Sequence, residues 1–131
     1  MDIVADANLF LSVILNEPEK RKIVEKTKES DLLAPVILPF EIGNALSAMF
    51  KRKRLNDEQC QAALKQFQIV PVRLIDVDLN RALSIAIENE IYAYDAYYLE
   101  IAKRLGRPLM TLDVRMREIA IGIGIKVLEV L

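Results

Sequence analysis

Three aspartates stand at positions where carboxylates from different parts of the chain could meet. Asp6 directly follows the apolar run 3–5, and Asp113 directly follows the apolar run 109–112. Asp95 opens a further segment with helical periodicity. Taken singly, each aspartate is explained as a helix N-cap, since Asp is among the preferred capping residues. None has a Glu or Gln three residues later to complete a capping box, and a capping carboxylate can still bind a metal ion through its other oxygen.

Glu41 is a fourth acid, and it lies in a mostly apolar segment. It stands between Phe40 and Ile42 in the first turn of a predicted helix that carries few other charges before Lys51. A solvated acid would interact favourably with the helix dipole there. The interpretation we prefer directs the carboxylate across the edge of the sheet towards Asp6.

A cluster of carboxylates suits the hydrolysis of phosphodiester bonds. Magnesium-type ions activate a water molecule and neutralise the charge on the phosphate, often as a pair ~3.5–4 Å apart. Without a cation, two unit charges 4 Å apart repel each other by ~4 kcal/mol at an effective dielectric constant of 20. We therefore expect the four acids to hold Mg²⁺ or Mn²⁺ and to cut nucleic acid.

Missing residue types exclude several other catalytic mechanisms. The chain of 131 residues has no histidine and a single cysteine, Cys60. Catalysis by Ser-His or Cys-His pairs and zinc sites built from histidine or several cysteines are therefore excluded. An intramolecular disulfide is excluded too, which fits a reducing compartment. Any metal site must use oxygen ligands, which suit Mg²⁺ or Mn²⁺.

Positive charge is available only locally, since the net charge is -1. The densest basic run is Lys51, Arg52, Lys53 and Arg54, at the end of a predicted helix. A favourable charge at the helix C-terminus and a contact with nucleic-acid phosphates explain this run equally well. A second run at 20–22 is best explained as a solvated face.

Four tyrosines surround Asp95, namely Tyr92, Tyr94, Tyr97 and Tyr98. Aromatic faces of this kind can stack unpaired bases. We expect at least two of them to pack in the core or at a dimer interface.

The elements that position these residues alternate between strands and helices. Short apolar runs predict strands at 3–5, 32–34, 70–75, 109–112 and 125–130. Amphipathic or capped segments predict helices at 8–15, 17–28, 38–54, 57–67, 79–91, 95–105 and 114–121, the last with Gly122 as its C-cap. This alternation predicts an α/β fold with a parallel sheet between layers of helices. Ligands in such sheets bind beyond the carboxyl ends of the strands.

Length and composition indicate one domain spanning residues 1–131. No apolar run approaches the ~18 residues of a membrane span. The N-terminal residues lack the basic and apolar regions of a secretory signal, so we expect a cytoplasmic protein with no membrane contact. The hydrophobic fraction of 53% and the mean hydropathy of +0.20 are high. They favour an apolar face shared with a second copy or another partner.

The chain resembles the PIN-domain ribonucleases at five motifs that occur in the family's order. The motifs are Asp6-Ala7-Asn8, Pro39-Phe40-Glu41 with Asn44, Tyr94-Asp95-Ala96-Tyr97-Tyr98 with Ala102, Leu109-Met110-Thr111-Leu112-Asp113, and Gly124-Ile125-Lys126-Val127. Each motif is weak alone, but their order and spacing are specific and cover essentially the whole chain. The length is similar to that of the VapC-type toxins of prokaryotic toxin–antitoxin pairs.

This resemblance implies a three-layer α/β/α fold with strand order 3-2-1-4-5 and an endoribonuclease dependent on Mg²⁺ or Mn²⁺. Its catalytic and metal-binding acids would be Asp6, Glu41, Asp95 and Asp113, with Asn8, Asn44 and Thr111 in supporting roles. Family members often carry Ser or Thr where this chain has Asn8, whose amide can still orient a water molecule or a phosphate. The resemblance also implies a homodimer, and a cognate antitoxin whose C-terminal segment covers the active-site groove.

Three other functions share part of this pattern. A PIN nuclease of RNA maturation or decay would use the same acids without an antitoxin. A phosphatase of the haloacid dehalogenase type would need a second aspartate where Asn8 stands. A receiver-type phosphoacceptor module would need an aspartate after the third strand and a lysine after the last, and Asp76 and Lys126 match these positions poorly.

Overall fold

The sheet has five parallel strands in a computed structural model that describes residues 1–130. The strands are β1 (Asp2–Ala5), β2 (Asp31–Pro35), β3 (Val72–Ile75), β4 (Leu109–Met110) and β5 (Val127–Leu128). Their order across the sheet is β3-β2-β1-β4-β5, and every neighbouring pair is parallel. The predicted fold class and strand order are therefore confirmed.

Seven helices within residues 1–130 connect and flank the strands. They are α1 (Ala7–Ile14), α2 (Lys20–Thr27), α3 (Leu38–Lys51), α4 (Asp57–Ile69), α5 (Leu79–Asn89), α6 (Ala93–Leu105) and α7 (Val114–Gly122). Helix α1 packs against α2, α3 and α4, whereas α6 packs against α5 and the three central strands. In this part of the chain no helix has the length and apolar character needed to cross a bilayer.

The central strands form the middle of the hydrophobic core. Ile3 and Val4 of β1, Leu33 of β2 and Leu109 of β4 are all 0–1% exposed. Neighbouring residues within a strand point to opposite faces of the sheet, so Ile3 and Val4 show that both faces are covered. The carboxyl ends of β1 and β4 therefore lie in the middle of the sheet, flanked by helices.

Three of the predicted helix boundaries were wrong where a turn interrupts the hydrophobic pattern. Helix α2 begins at Lys20 and not at 17, since the chain reverses at Asn16 (φ 56°) and the Glu17 amide bonds to an α1 carbonyl. Helix α3 ends at Lys51 and is followed by a turn. Gly122 is the last residue of α7 and not its cap, while Gly124 adopts the positive φ of 88°.

Strands β4 and β5 are shorter than the apolar runs that predicted them. The pairing of β1 with β4 ends at Ala5 and Met110. Asp6, one residue after Ala5, caps α1, and Asp113, three residues after Met110, caps α7. The chain leaves the sheet at these two points, so both aspartates lie beyond its carboxyl edge.

Part of the apolar surface forms a stripe on α5. Leu79, Leu83 and Ile87 recur every fourth residue and are 64%, 54% and 68% exposed. Residues four apart lie on the same face of a helix. This stripe agrees with the expectation that an apolar face reaches the surface.

Candidate active site

Asp6 is the most deeply buried of the four acids, at 4% exposed. It caps α1, and its Oδ1 accepts a hydrogen bond from the Leu9 amide at 3.2 Å. Its Oδ2 accepts a hydrogen bond from the Thr111 hydroxyl. Burial raises the pKa of Asp6 to about 6, although both hydrogen bonds oppose this shift. The negative charges of Asp113 and Asp95 raise the pKa further.

Thr111 links the two aspartates at the carboxyl ends of β1 and β4. Its buried hydroxyl donates to Asp6 and accepts a hydrogen bond from the Asp113 amide at 3.0 Å. A hydroxyl can donate one hydrogen bond and accept two, so the Thr111 hydroxyl acts here both as a donor and as an acceptor. Thr111 therefore holds the Asp6 carboxylate and the start of α7 in a fixed relation.

Asp113 is half-buried and caps α7. Its Oδ1 accepts a hydrogen bond from the Met116 amide at 3.0 Å. The N-cap interpretation is thus correct for Asp6 and Asp113. It does not exclude a metal-binding role, because a carboxylate has two oxygens and several acceptor sites.

Asp95 is not an N-cap, contrary to the simple interpretation of its position. Helix α6 begins at Ala93 after Tyr92, and Asp95 is the third helical residue. The cap position, Tyr92, forms no side-chain capping bond. Asp95 is half-buried, and burial together with the charge of Asp113 raises its pKa. Capping therefore does not explain this carboxylate.

Glu41 faces the other acids from the first turn of α3. Its Oε1 accepts a hydrogen bond from the Tyr98 hydroxyl at 2.8 Å. Burial raises the pKa of Glu41 to about 6, against the effect of that hydrogen bond, and the charges of Asp95 and Asp6 add to the shift. The predicted orientation of Glu41 towards Asp6 agrees with this coupling.

Tyr98 was predicted only as one of four tyrosines that stack bases or pack in the core, and its contact with Glu41 was not predicted. Its side chain is 2% exposed, and its hydroxyl contacts Glu41 from the opposite helix layer. Burial and the negative charge of Glu41 both raise the pKa of Tyr98, so the hydroxyl stays protonated and remains a donor. The sequence feature that could have placed Tyr98 in the site is its spacing from Asp95, because residues three apart share a face of a helix.

The four carboxylates influence one another, yet no cationic side chain within residues 1–130 forms an ion pair with them. Asp6 and Glu41 are both coupled to Asp95, and Asp95 is coupled to Asp113. None of the ion pairs found within residues 1–130 includes any of the four. The same residues contain no group of three or more acids, histidines or cysteines that meets the geometry of a metal site. Mutual repulsion favours this separation of unpaired carboxylates.

The donor set nevertheless fits a hard divalent cation. All four side chains offer oxygen ligands, which Mg²⁺ and Mn²⁺ prefer. Asp6 is buried as a carboxylate without a cationic partner among residues 1–130, and such a group is costly unless it is paired or binds a metal. The site thus has the chemistry, though not the closed geometry, of a metal centre.

Asn8 and Asn44 lie together beside Glu41. All three line a groove of about 350 Å³ between α1 and α3. Both amide side chains are exposed and can reach a bound molecule. The structure therefore brings these two predicted supporting residues to the same side of the acidic cluster.

The basic run lies far from Glu41, at the other end of α3. Lys51 shares α3 with Glu41 but is about 15 Å further along the helix, at about 1.5 Å per residue. Arg52 is the C-cap of α3, and Arg52, Lys53 and Arg54 are exposed in the turn that follows. The predicted phosphate contact of this run stays a prediction.

A larger cavity of about 680 Å³ lies between α5 and α6, and its charges have structural partners. Glu100 on its wall is buried and accepts hydrogen bonds from the Asp78 amide at 2.8 Å and Arg104 Nε at 2.8 Å. Arg104 also donates to the carbonyl of Asp76. These contacts hold the start of α5 against α6 and offer no unpaired group for catalysis.

Comparisons with known proteins agree with this geometry. The family model described as PIN domain matches residues 3–122. The chain is 28% identical over 116 residues to VapC ribonuclease Mb0985 of Mycobacterium bovis. The aligned region covers 88% of this chain and 89% of that protein. The crystal structure of PAE2754 from Pyrobaculum aerophilum superposes with a TM-score of 0.74 at 23% identity and covers 99% of this chain and 92% of that one. The crystal structure of VapBC2 from Rickettsia felis, bound to a DNA fragment from its promoter, superposes with a TM-score of 0.71 at 17% identity. The match covers 98% of this chain and 98% of that one.

Proposed function

The chain belongs to the PIN domain family, and from that premise we propose that it is an endoribonuclease dependent on Mg²⁺ or Mn²⁺. The observation that carries this proposal is the placement of Asp6, Glu41, Asp95 and Asp113 at one edge of the sheet, mutually coupled and without a cationic partner within residues 1–130. Relatives named as VapC ribonucleases support RNA as the substrate. Family membership argues against the phosphatase and receiver alternatives.

The four acids would hold the metal ions, and the protein would supply their orientation. A bound ion supplies an activated water molecule and neutralises charge on the scissile phosphate. Thr111 and the Leu9 amide hold Asp6, the Met116 amide holds Asp113, and Tyr98 holds Glu41. Carboxylates fixed in this way need little reorganisation during the reaction.

The experiment that tests the proposed activity compares RNA with DNA of the same sequence. We expect the purified protein with Mg²⁺ or Mn²⁺ to cut a labelled single-stranded RNA at internal positions. Separation of the products on a denaturing gel identifies the cut linkages, and the DNA strand is the control. If neither ion supports any cleavage of RNA, the proposed function is wrong.

The toxin role and the partners are part of the same proposal. Relatives with VapC names and the likeness to VapBC2 support a toxin with a cognate antitoxin. The exposed apolar stripe Leu79, Leu83 and Ile87 supports a homodimer, which sedimentation at micromolar concentration would detect. A PIN nuclease of RNA maturation would lack the antitoxin, so a short neighbouring gene whose product suppresses the nuclease would distinguish the two roles.

Tyr98→Phe tests whether the hydroxyl positions Glu41. The ring keeps its packing in the core, while Glu41 loses a hydrogen bond to its charged form. We expect kcat to fall about tenfold and the Mg²⁺ concentration for half-maximal activity to rise. The hydrogen bond lowers the pKa of Glu41, so its loss moves the acidic limb of the pH–rate profile to higher pH.

Tyr97→Phe is the matched control for this variant. Tyr97 is the adjacent residue of α6, and its ring makes an edge-to-face contact with Tyr94, which the Phe ring preserves. We expect its kcat, metal dependence and pH profile to match those of the wild type. Equal behaviour of the two variants would contradict the positioning role of Tyr98.

A further inference from the structure

The groove beside Glu41 carries two aromatic rings and two amides, and within residues 1–130 neither amide is hydrogen-bonded to any of the four acids. Phe40 and Tyr94 are 73% and 56% exposed. They line the groove of about 350 Å³ together with the amides of Asn8 and Asn44. These four side chains come from α1, α3 and α6, so the fold and not a single motif brings them together.

The exposure of Phe40 is not required by the packing of α3. The buried face of this helix is formed by Leu38, Ile42 and Leu46. Phe40 points away from that face into the groove, and a Phe side chain left in water forgoes the free energy that its burial would contribute. A ligand that covers the ring would recover part of this free energy.

The Tyr94 ring has a defined orientation. It lies edge-to-face against Tyr97, with ring centroids 6.0 Å apart and an interplanar angle of 89°. Tyr94 also lines the same groove as Glu41, so a group stacked on the ring would lie next to the acidic cluster. An ordered aromatic side chain loses little entropy when a flat group stacks on it.

An unpaired nucleobase has the chemistry that this groove fits. A base stacks favourably on an aromatic side chain because every base has a flat π-face. Each asparagine amide offers one acceptor and two donors, which can pair with the polar edge of a base. Glu41 lines the same groove, so the groove is continuous with the acidic cluster.

We propose that this groove, lined by Phe40, Tyr94, Asn8 and Asn44, binds one unpaired nucleobase of the RNA next to the linkage that is cut. The inference rests on the ribonuclease function proposed above. The base stacks on an aromatic ring of the groove, and the two amides contact its edge. The site then prefers RNA with an unstacked base at one defined position, and double-stranded RNA is a poor substrate.

The test measures cleavage of single-stranded RNAs in which one base at a time is replaced by an abasic sugar. With Mg²⁺ present, kcat/KM of the wild type should fall at least tenfold when the abasic sugar is at one particular position near the cut. Phe40→Leu and Tyr94→Leu should each lower kcat/KM on the intact RNA about tenfold. On the RNA that is abasic at that position, the same variants should lose little more, because the stacked base is already absent.

Phe50→Leu is the matched control. Phe50 lies on the same helix as Phe40 and is 53% exposed, but it is outside the groove. Its kcat/KM should equal that of the wild type on every RNA, and thermal unfolding should show that all three variants are folded. Asn8→Ala and Asn44→Ala should change which of the four bases is preferred at the sensitive position.

The outcomes separate this inference from the proposed function. If the wild type cuts RNA, but Phe40→Leu and Tyr94→Leu behave like Phe50→Leu, the groove does not bind a base and the inference is wrong. If no abasic position affects the wild type, the inference is equally wrong, although the nuclease function stands. If no RNA is cut with either metal ion, the proposed function fails, and the inference fails with it.

Discussion

EDTA is expected to abolish cleavage of RNA by the wild-type protein, and added Mg²⁺ or Mn²⁺ to restore it. Four coupled carboxylates without a cationic partner within residues 1–130 cannot by themselves neutralise a scissile phosphate, because they carry the same sign of charge. The expected loss is therefore complete and not partial. The measurement is the initial rate of RNA cleavage after dialysis against EDTA and after stepwise return of each ion.

The kind of metal ion is part of this prediction. With no histidine and a single half-buried cysteine, the chain offers oxygen ligands at the site, so Zn²⁺ should not be required. Binding of Mg²⁺ at a concentration 100 times Kd should add ~2.7 kcal/mol to the free energy of unfolding. The thermal unfolding midpoint should therefore rise as well. Cleavage that continues undiminished in EDTA would remove the metal from the mechanism.

Local sequence was sufficient to predict the two acids that follow strands. Asp6 and Asp113 each come just after a buried apolar run, and parallel strands place their carboxyl ends at the same edge. Their identity as caps and their proximity both follow from this adjacency. The strand order and the α/β class were predictable from the order of the elements together with the family resemblance.

Contacts between distant segments could not be predicted in the same way. The hydrogen bond from Tyr98 to Glu41 joins residues 57 positions apart, and no sequence pattern links the two residues. The groove with Phe40 and Tyr94 likewise requires the relative placement of α3 and α6. Such contacts depend on how the helices pack on the sheet, which helical periodicity does not specify.

The start of α6 shows how a local rule can fail. Asp before a helical pattern indicates an N-cap, yet the helix begins two residues earlier, at Ala93. Tyr92 adopts the extended conformation of a cap residue without a capping side chain. Asp95 is therefore free of a capping role, which makes its substitution more informative than that of Asp6 or Asp113.

Asp95→Asn is expected to lower kcat for RNA cleavage by two orders of magnitude or more while the metal-free protein becomes more stable. The variant removes one of four mutually repelling charges, so the folded apo protein should gain stability relative to the wild type. If Asp95 only interacted with the dipole of α6, its replacement would instead cost ~0.3–1 kcal/mol. Asp57→Asn in the first turn of α4, where the carboxylate is exposed, is the control: it should leave activity unchanged and lower stability only by the ~0.3–1 kcal/mol of the helix-dipole interaction.

The stability of the metal-free protein should depend on pH, because its clustered carboxylates have raised pKa values. The folded-state pKa values of Asp6 and Glu41 are raised from 3.8 and 4.5 to about 6, so the folded apo protein binds more protons than the unfolded chain in this range. This contribution favours folding fully below about pH 4 and is lost as pH rises through about 6. Denaturant unfolding of the wild type without metal should therefore show stability falling between these pH values, and Asp95→Asn should show a smaller fall.

Saturating Mg²⁺ should reverse the ranking of the two proteins. The ion binds the folded wild type with a full set of carboxylates and binds the variant more weakly, so the wild type gains more stability. It should also remove most of the pH dependence near pH 6, because a bound cation keeps the carboxylates ionised. Asp95→Asn with full nuclease activity, and with the same apo stability and Mg²⁺ response as the wild type, would show that Asp95 is not part of a metal-binding cluster.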